Sequence, residues 1–381
     1  MTRQGFFALA GKAAVALGAM KMDFLKTGAA VAGGSGAPTL RHTVKRLNLR
    51  HTWTIARGSS DYKEYAYVEI AKDGVVGWGE AAHNVRYHES PESILATIEQ
   101  ARPLVEQADL WHFADLGTAV QRVVAEQTAA KAAIDMALID WVTKNLNVPL
   151  YRYLGLDPGK TPVTSFSIGI DKPEVMQAKI REAEAFPILK IKVGTADDEA
   201  IMSAVRAVTD KPLFVDANEG WKRKEEALER IRWLADHNVV LLEQPLPAAM
   251  LEEQKWLYRQ VQQLGIRLPI FADEAVKQAA DIPRLAEAYD GINLKLMKAG
   301  GIQEAVRMIN LARSLNLKVM LGCMIESSLG ITAAAHLSPM VDFADLDGNL
   351  LINNDPFVGV RVENGKMFLP TGPGLGVTGQ F

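Results

Sequence analysis

The chain has 381 residues, 48% hydrophobic and 23% charged, with a formal net charge of -3. Its length allows a large core and more than one domain, and the absence of a basic field or a Lys/Arg run excludes nucleic-acid and membrane-surface binding by charge. The single cysteine, Cys323, excludes an intramolecular disulfide and a cysteine-based metal cluster. Lying at the end of the apolar run Val319-Met320-Leu321-Gly322-Cys323, it reads as a small buried hydrophobe.

Residues 1–37 are rich in Ala and Gly, contain one acid, Asp23, and lack amphipathic periodicity. Asp23-Phe24-Leu25-Lys26-Thr27-Gly28 before Ala29-Ala30-Val31-Ala32 resembles a twin-arginine export signal with a small-residue cleavage site. Lys21-Met22 stands where two arginines belong, and Arg3-Gln4-Gly5-Phe6-Phe7 is a second imperfect match. The expectation is an export leader and a periplasmic or exported protein; the alternative is a disordered or mis-started segment on a cytoplasmic one. Lysines break the apolar stretches, which are too short to span a membrane.

Residues 38–155 read as an α+β domain. Leu47–Arg50, Tyr65–Ile70 and Gly74–Glu80 form an antiparallel meander with a turn at Asp73-Gly74, and helices follow over residues 90–155, for example Ala129–Trp141. Residues 156–355 change period. Apolar strand-like runs begin near residues 163, 187, 212, 239, 268, 291, 318 and 341, with amphipathic segments between most of them. Eight such β-α units predict an α/β fold, a modified (β/α)8 TIM barrel with catalytic groups at the C-terminal strand ends. A doubly wound open sheet is the runner-up, but no G-x-G-x-x-G follows the first strand. The tail, residues 356–381, is turn-rich at Gly372-Pro373-Gly374-Leu375-Gly376 and is expected to return to the capping domain.

Lys190 and Lys192, Asp216, Glu243, Asp273 and Lys295 each stand in or at the end of one of these apolar runs, where uncompensated charge is expensive. Three carboxylates on successive strand ends suit a hard oxygen-seeking cation, Mg2+ rather than zinc, since no His or Cys is nearby. Asn218 and Glu274 stand next to these ligands. The lysines suit proton transfer, and burial among ammonium groups is expected to lower their pKa. Lys190 and Lys192, two apart, share a strand face, and Lys295 comes from across the barrel. Two bases on opposite sides of a cation-held carboxylate can remove a proton from one face of a carbon and return it to the other through an enediolate. Lys298 fits a solvated strand-end lysine. A Schiff-base lysine is a distinct alternative that leaves the carboxylates unexplained.

Lys190-x-Lys192, Asp216-Ala217-Asn218, Glu243-Gln244-Pro245, Asp273-Glu274 and Asn293-Leu294-Lys295-Leu296-Met297-Lys298-Ala299-Gly300-Gly301 together resemble the enolase superfamily, muconate-lactonizing subgroup, over nearly the whole chain after residue 40. The resemblance implies Asp216, Glu243 and Asp273 as metal ligands, Lys192 and Lys295 as the proton carriers, and Lys190 as an electrostatic aid. Asp345-Leu346-Asp347 resembles the Asp-x-Asp with which dipeptide epimerases hold a substrate ammonium, and two carboxylates suit a cation. Met324–His336 is also close to that pattern, with Glu326 and Ser167 as candidate polar contacts. The specificity loop is expected at Thr52–Ser60, where Arg57 resembles the arginine that receives a glutamate side chain. Trp53 would instead favour hydrophobic dipeptides.

The resemblance therefore implies a Mg2+-dependent epimerase of L-Ala-D/L-Glu or related small dipeptides, acting on murein peptides if exported. An o-succinylbenzoate synthase, N-acylamino acid racemase or cycloisomerase shares the metal and lysines but has no ammonium to bind. A periplasmic peptide-binding protein is the reading from another class, and a homo-oligomer is left open.

Overall fold

The protein is described by a computed structural model over residues 36–55 and 58–380. The leader reading thus falls almost wholly outside the described residues, and Arg57 lies outside them. Among the described residues no helix is long and apolar enough to cross a membrane.

Three antiparallel strands open the fold: β1 (Thr39–Ile55), β2 (Gly58–Lys72) and β3 (Val75–Ala81). The turn between β2 and β3 is Asp73-Gly74, both with positive φ, as a tight two-residue hairpin requires. The segment expected as a specificity loop is largely strand. Trp53, Thr54 and Ile55 pair with Ser60, Ser59 and Gly58, beyond a register shift that follows Asn48. The hairpin tip reaches the barrel, where Ile170 N donates to Thr54 O at 2.9 Å. Helices over Pro91–Glu106, Phe113–Gln121 and Thr128–Asn145 complete the cap. The last is alanine-rich and buried around its circumference, and Gly77 and Gly79 of β3 lie against its backbone where a Cβ would collide with the Ala137 and Ala133 carbonyls.

The eight predicted barrel strands are β4 (Phe166–Ile168), β5 (Leu189–Lys192), β6 (Leu213–Asp216), β7 (Val239–Glu243), β8 (Ile270–Ala272), β9 (Gly291–Leu294), β10 (Lys318–Gly322) and β11 (Phe343–Asp345). They pair in parallel in sequence order, and a Thr164–Ala344 bridge brings the ends together. That closure rules out the open doubly wound sheet. Phe214, Leu241, Phe271 and Met320 pack as a cluster of their own, with Phe343 against it, and T-shaped Phe214–Phe343 and Phe271–Phe343 contacts plug the barrel interior below the strand ends.

The C-terminal segment adds β12 (Phe357–Val358), β13 (Arg361–Glu363), β14 (Lys366–Phe368) and β15 (Thr378–Gly379). It reaches the cap through Leu375 N on Asp140 Oδ1 at 2.8 Å and Leu150 N on Gly374 O at 2.9 Å.

Candidate active site

Six of the eight strands carry an acidic or basic residue at, or one place past, their last position: Lys192, Asp216, Glu243, Asp273, Lys295 and Asp345. All six are buried. Counting round the barrel, β5 and β9 are four strands apart and face each other across it. The three acids on β6, β7 and β8 fill the arc between them, and Asp345 on β11 stands opposite Glu243 on β7.

One oxygen from each of Asp216, Glu243 and Asp273 lies within 4.8 Å of the others. Burial and the neighbouring Asp216 charge raise the Glu243 carboxyl to about 8. Three acids this close cannot all stay ionised without added positive charge. Burial disfavours charge on Asp216 as well, but Lys192 and Lys190 overcome it and hold Asp216 well below the usual range; Lys295 and Lys298 do the same for Asp273. A buried, all-oxygen, three-carboxylate set fits a divalent cation of the Mg2+ type.

Lys192 Nζ donates to Asp216 Oδ2 at 2.6 Å, and Lys295 Nζ to Asp273 Oδ2 at 2.8 Å. The expected depression of lysine pKa is not what this arrangement produces. Burial pushes Lys190 and Lys295 down, but Asp345 and Glu243 around Lys190, and Asp273 and Glu243 around Lys295, reverse the direction and raise both. Lys298 is not a solvated lysine: it is buried, bonded to Asp273 Oδ1 and O and to Asn293 O, and lowered by burial. Asn218 Nδ2 donates to Asp216 Oδ2 at 3.1 Å and Glu274 Oε1 at 3.3 Å, so both stand beside the triad.

Lys190 Nζ bridges Glu243 Oε2 and Asp345 Oδ2, at 2.7 Å each, and forms the floor between the triad and the aspartate pair. Ser165 Oγ donates to Asp345 Oδ1 at 2.6 Å, and Ser167 N to Asp347 Oδ2 at 2.6 Å. The Ser167 hydroxyl lies 3.4 Å from both carboxylates, which makes it an orienting group as well as a lining one. Burial and Asp345 raise Asp347 to about 7, whereas Lys190 and Lys192 outweigh burial and lower Asp345.

Lys190, Lys192, Asp273, Lys295, Asp345 and Asp347 line a cavity of about 820 Å³ between barrel mouth and cap, with Asp216 and Glu243 buried next to them, and Trp53 lines its cap side. Glu326 does not line it. It is buried behind Met324 and Ile325, with Oε1 accepting from Met324 N at 2.7 Å. Cys323 is only half-buried and lines the cavity, its Sγ donating to Asp345 O at 3.2 Å. Burial pushes its thiol well up, so it is no nucleophile.

Sequence reasoning placed the segment of Trp53 at the site but missed the rest of the cap's share. Arg86 holds Glu219 through Nε and Nη2 at 2.7 and 2.8 Å and ties the cap to the loop after β6. Lys63, Tyr65 and His83 line the cavity. Only contacts between distant segments reveal them.

Two sequence profiles match the chain. Residues 39–155 match the mandelate racemase/muconate lactonizing enzyme N-terminal domain, and residues 175–380 the enolase C-terminal domain-like family. An L-Ala-D/L-Glu epimerase of Bacteroides thetaiotaomicron is 42% identical, with 94% of this chain and 98% of the relative covered. An L-Ala-D/L-amino acid epimerase of Pedosphaera parvula is 43% identical over 86% of this chain and 94% of its own length. The crystal structure of a dipeptide epimerase from Enterococcus faecalis V583, complexed with Mg and L-Leu-L-Tyr, superposes with a TM-score of 0.84 at 33% identity, covering 90% of this chain and 99% of that one.

Proposed function

From the premise that this chain belongs to the mandelate racemase/muconate lactonizing enzyme family of the enolase superfamily, we propose that it is a Mg2+-dependent dipeptide epimerase that inverts the α-carbon of the C-terminal residue. The observation that carries this reading is the four-way arrangement of the barrel mouth: acid triad against Asp345/Asp347 on one axis, Lys192 against Lys295 on the other.

A zwitterionic dipeptide matches that cross. Its C-terminal carboxylate belongs at the triad, and its ammonium belongs at Asp345 and Asp347, where two carboxylates and the Ser167 groups face the cavity. The α-carbon next to the carboxylate then lies between the lysines. Asp216, Glu243 and Asp273 would hold the cation, which when bound would supply positive charge against the charge growing on the substrate carboxylate. Lys192 takes or gives the proton on one face and Lys295 on the other, each positioned by a carboxylate of the triad. Positioned acid–base catalysis of this kind contributes about 10²–10⁴-fold. Lys190, locked between Glu243 and Asp345, keeps the two acid groups from repelling each other.

Family members acting on acylated or non-amino substrates have no use for the Asp345/Asp347 pair, and a peptide-binding protein has no use for opposed lysines. L-Ala-D/L-Glu is the first substrate, by likeness to the Bacteroides thetaiotaomicron relative. The export reading of residues 1–37 would place the reaction outside the cytoplasm; sequencing the mature N-terminus after expression in a producing cell tests it.

The test of function is incubation with Mg2+ and a dipeptide library in deuterated water, with deuterium at the C-terminal residue's α-position read by mass spectrometry. Exchange on free-amine dipeptides supports the reading, and no exchange on any dipeptide refutes it.

A further inference from the structure

The cross of charges in the barrel mouth leaves the substrate side chain one direction. When the α-proton is off, the α-carbon is planar and its two faces look toward Lys192 and Lys295. The plane itself contains the triad–aspartate axis and the barrel axis. Carboxylate and amide nitrogen take the two ends of the first axis. The Lys190 floor and the Phe214 cluster close the barrel below. The side chain must rise out of the mouth into the cap.

The cap wall there is not simply apolar. Lys63 of β2 lines the cavity and is half-buried, and among the described residues its ammonium makes no hydrogen bond or ion pair. Burial lowers it from the ordinary lysine value, the state of an ammonium that has lost water without gaining an anion. Tyr65, two residues along the same strand face, packs edge-on against His83 with ring centroids 5.4 Å apart. His83 also lines the cavity, and its Nδ1 is buried without a hydrogen-bond partner. Of the nearby acids, Asp61 is held by the Thr52 hydroxyl at 2.6 Å, Glu92 is exposed and held by the Ser90 hydroxyl at 2.7 Å, and Glu64 is exposed to water.

Resting on the epimerase reading above, we propose that this wall is an anion subsite in which Lys63, with His83 beside it, receives the acidic side chain of the residue being epimerised. The preferred second residue is then glutamate or aspartate, selected by the cap hairpin arm itself. An ammonium held partly dry gains much more from a carboxylate, which pairs its charge, than from an isosteric amide, which only accepts a hydrogen bond.

The test compares L-Ala-L-Glu with L-Ala-L-Gln in two readouts on Mg2+-loaded protein: equilibrium binding followed by tryptophan fluorescence, since Trp53 lines the same cavity, and deuterium exchange at the α-position. Wild type is expected to bind the Glu dipeptide at least about 10-fold tighter than the Gln one. Lys63→Met is expected to bring that ratio near one, Lys63→Arg to restore it, and Lys63→Glu to move the preference toward L-Ala-L-Lys. Circular dichroism melts confirm that each variant is folded. Equal binding of the two dipeptides by wild type overturns the inference while leaving the epimerase reading intact if exchange occurs. So does a Glu preference that survives Lys63→Met and disappears in Arg57→Met. Absence of exchange on every dipeptide overturns the epimerase reading and the inference with it.

Discussion

Glu80 at the end of β3 and Glu326 beyond β10 bring carboxylate oxygens to the same buried spot, the space a Cβ on Gly330 would fill. A cap acid and a barrel acid thus share one site behind the cavity. Ser327 N and Oγ donate to Glu80 at 2.9 and 2.5 Å, and Gly330 N at 2.9 Å. Burial raises Glu80 to about 7; burial and then the Glu80 charge raise Glu326 to about 8.

The pair makes stability fall with pH. Below the ordinary carboxyl value of 4.5 both folded and unfolded states are protonated, and the full contribution is present. Between there and about 8 the unfolded chain releases protons that the fold retains, so stability is lost as pH rises. Glu326→Gln keeps an acceptor for Met324 N and cannot ionise. Melting curves of cation-free protein should show Tm falling from about pH 5 to 8.5, with a shallower fall in the variant. At about 1.4 kcal/mol per pKa unit and about 1–2 °C per kcal/mol for a chain of this length, the variant should gain several degrees at the alkaline end. Parallel slopes would remove the pair as the cause.

Cation binding should appear as stability too. Burial and the Asp216 charge keep Glu243 raised even with Lys190 and Lys295 nearby, so a cation that lets Glu243 ionise is favoured at the triad. Titrating Mg2+ into chelator-treated protein should raise Tm, by an amount equivalent to about 2.7 kcal/mol at 100-fold over Kd. Asp216→Asn should blunt that rise and abolish α-proton exchange. A Tm insensitive to Mg2+ in wild type would count against the triad as a cation site.

The barrel residues were legible because each violates a local expectation: Lys190, Lys192, Asp216, Glu243, Asp273 and Lys295 place charge in or at the end of short apolar runs, and strand spacing converts that into one ring. Their protonation was not legible. A depressed pKa was expected, and for Lys190 and Lys295 only the contacts, such as 2.7 Å from Lys190 to two carboxylates, show opposite charge winning over burial. Glu326, a candidate polar contact by its pattern, is buried beside Glu80 and is not among the residues that line the cavity. The cap residues other than Trp53 were hidden for a different reason. Lys63 looks like any lysine on an alternating strand, and the Arg86–Glu219 clamp joins residues 133 apart, so no window of sequence contains it.

Asp347 gives substrate binding its own pH dependence. Burial and Asp345 raise it to about 7. Above that pH it is a carboxylate, and below it a neutral acid, so one of two charges on the substrate ammonium disappears as pH falls. KM for a free-amine dipeptide should rise below about pH 6.5, by roughly 10-fold for a charged hydrogen bond worth about 1.5–3 kcal/mol, with kcat moving less. Asp347→Asn should show the high KM at every pH and lose this limb. A wild-type KM flat from about pH 5.5 to 8.5 would show that Asp347 does not hold the ammonium.

The opposed lysines make the sharpest prediction, because each can reach one face only. Lys192 and Lys295 sit on strands facing each other across the barrel, each bonded to a different carboxylate of the triad. Removing one leaves the other able to abstract a proton from a single epimer, with no partner to return it on the opposite face. Lys192→Ala and Lys295→Ala should each reduce epimerisation by at least about 10²-fold, the lower end for a general base. Each should still exchange the α-proton of one epimer for deuterium, and the two variants should retain opposite epimers. NMR of L-Ala-L-Glu and L-Ala-D-Glu in deuterated water reads both quantities together. Retention of the same epimer by both variants would mean that one lysine serves both faces, and the two-base arrangement would fail.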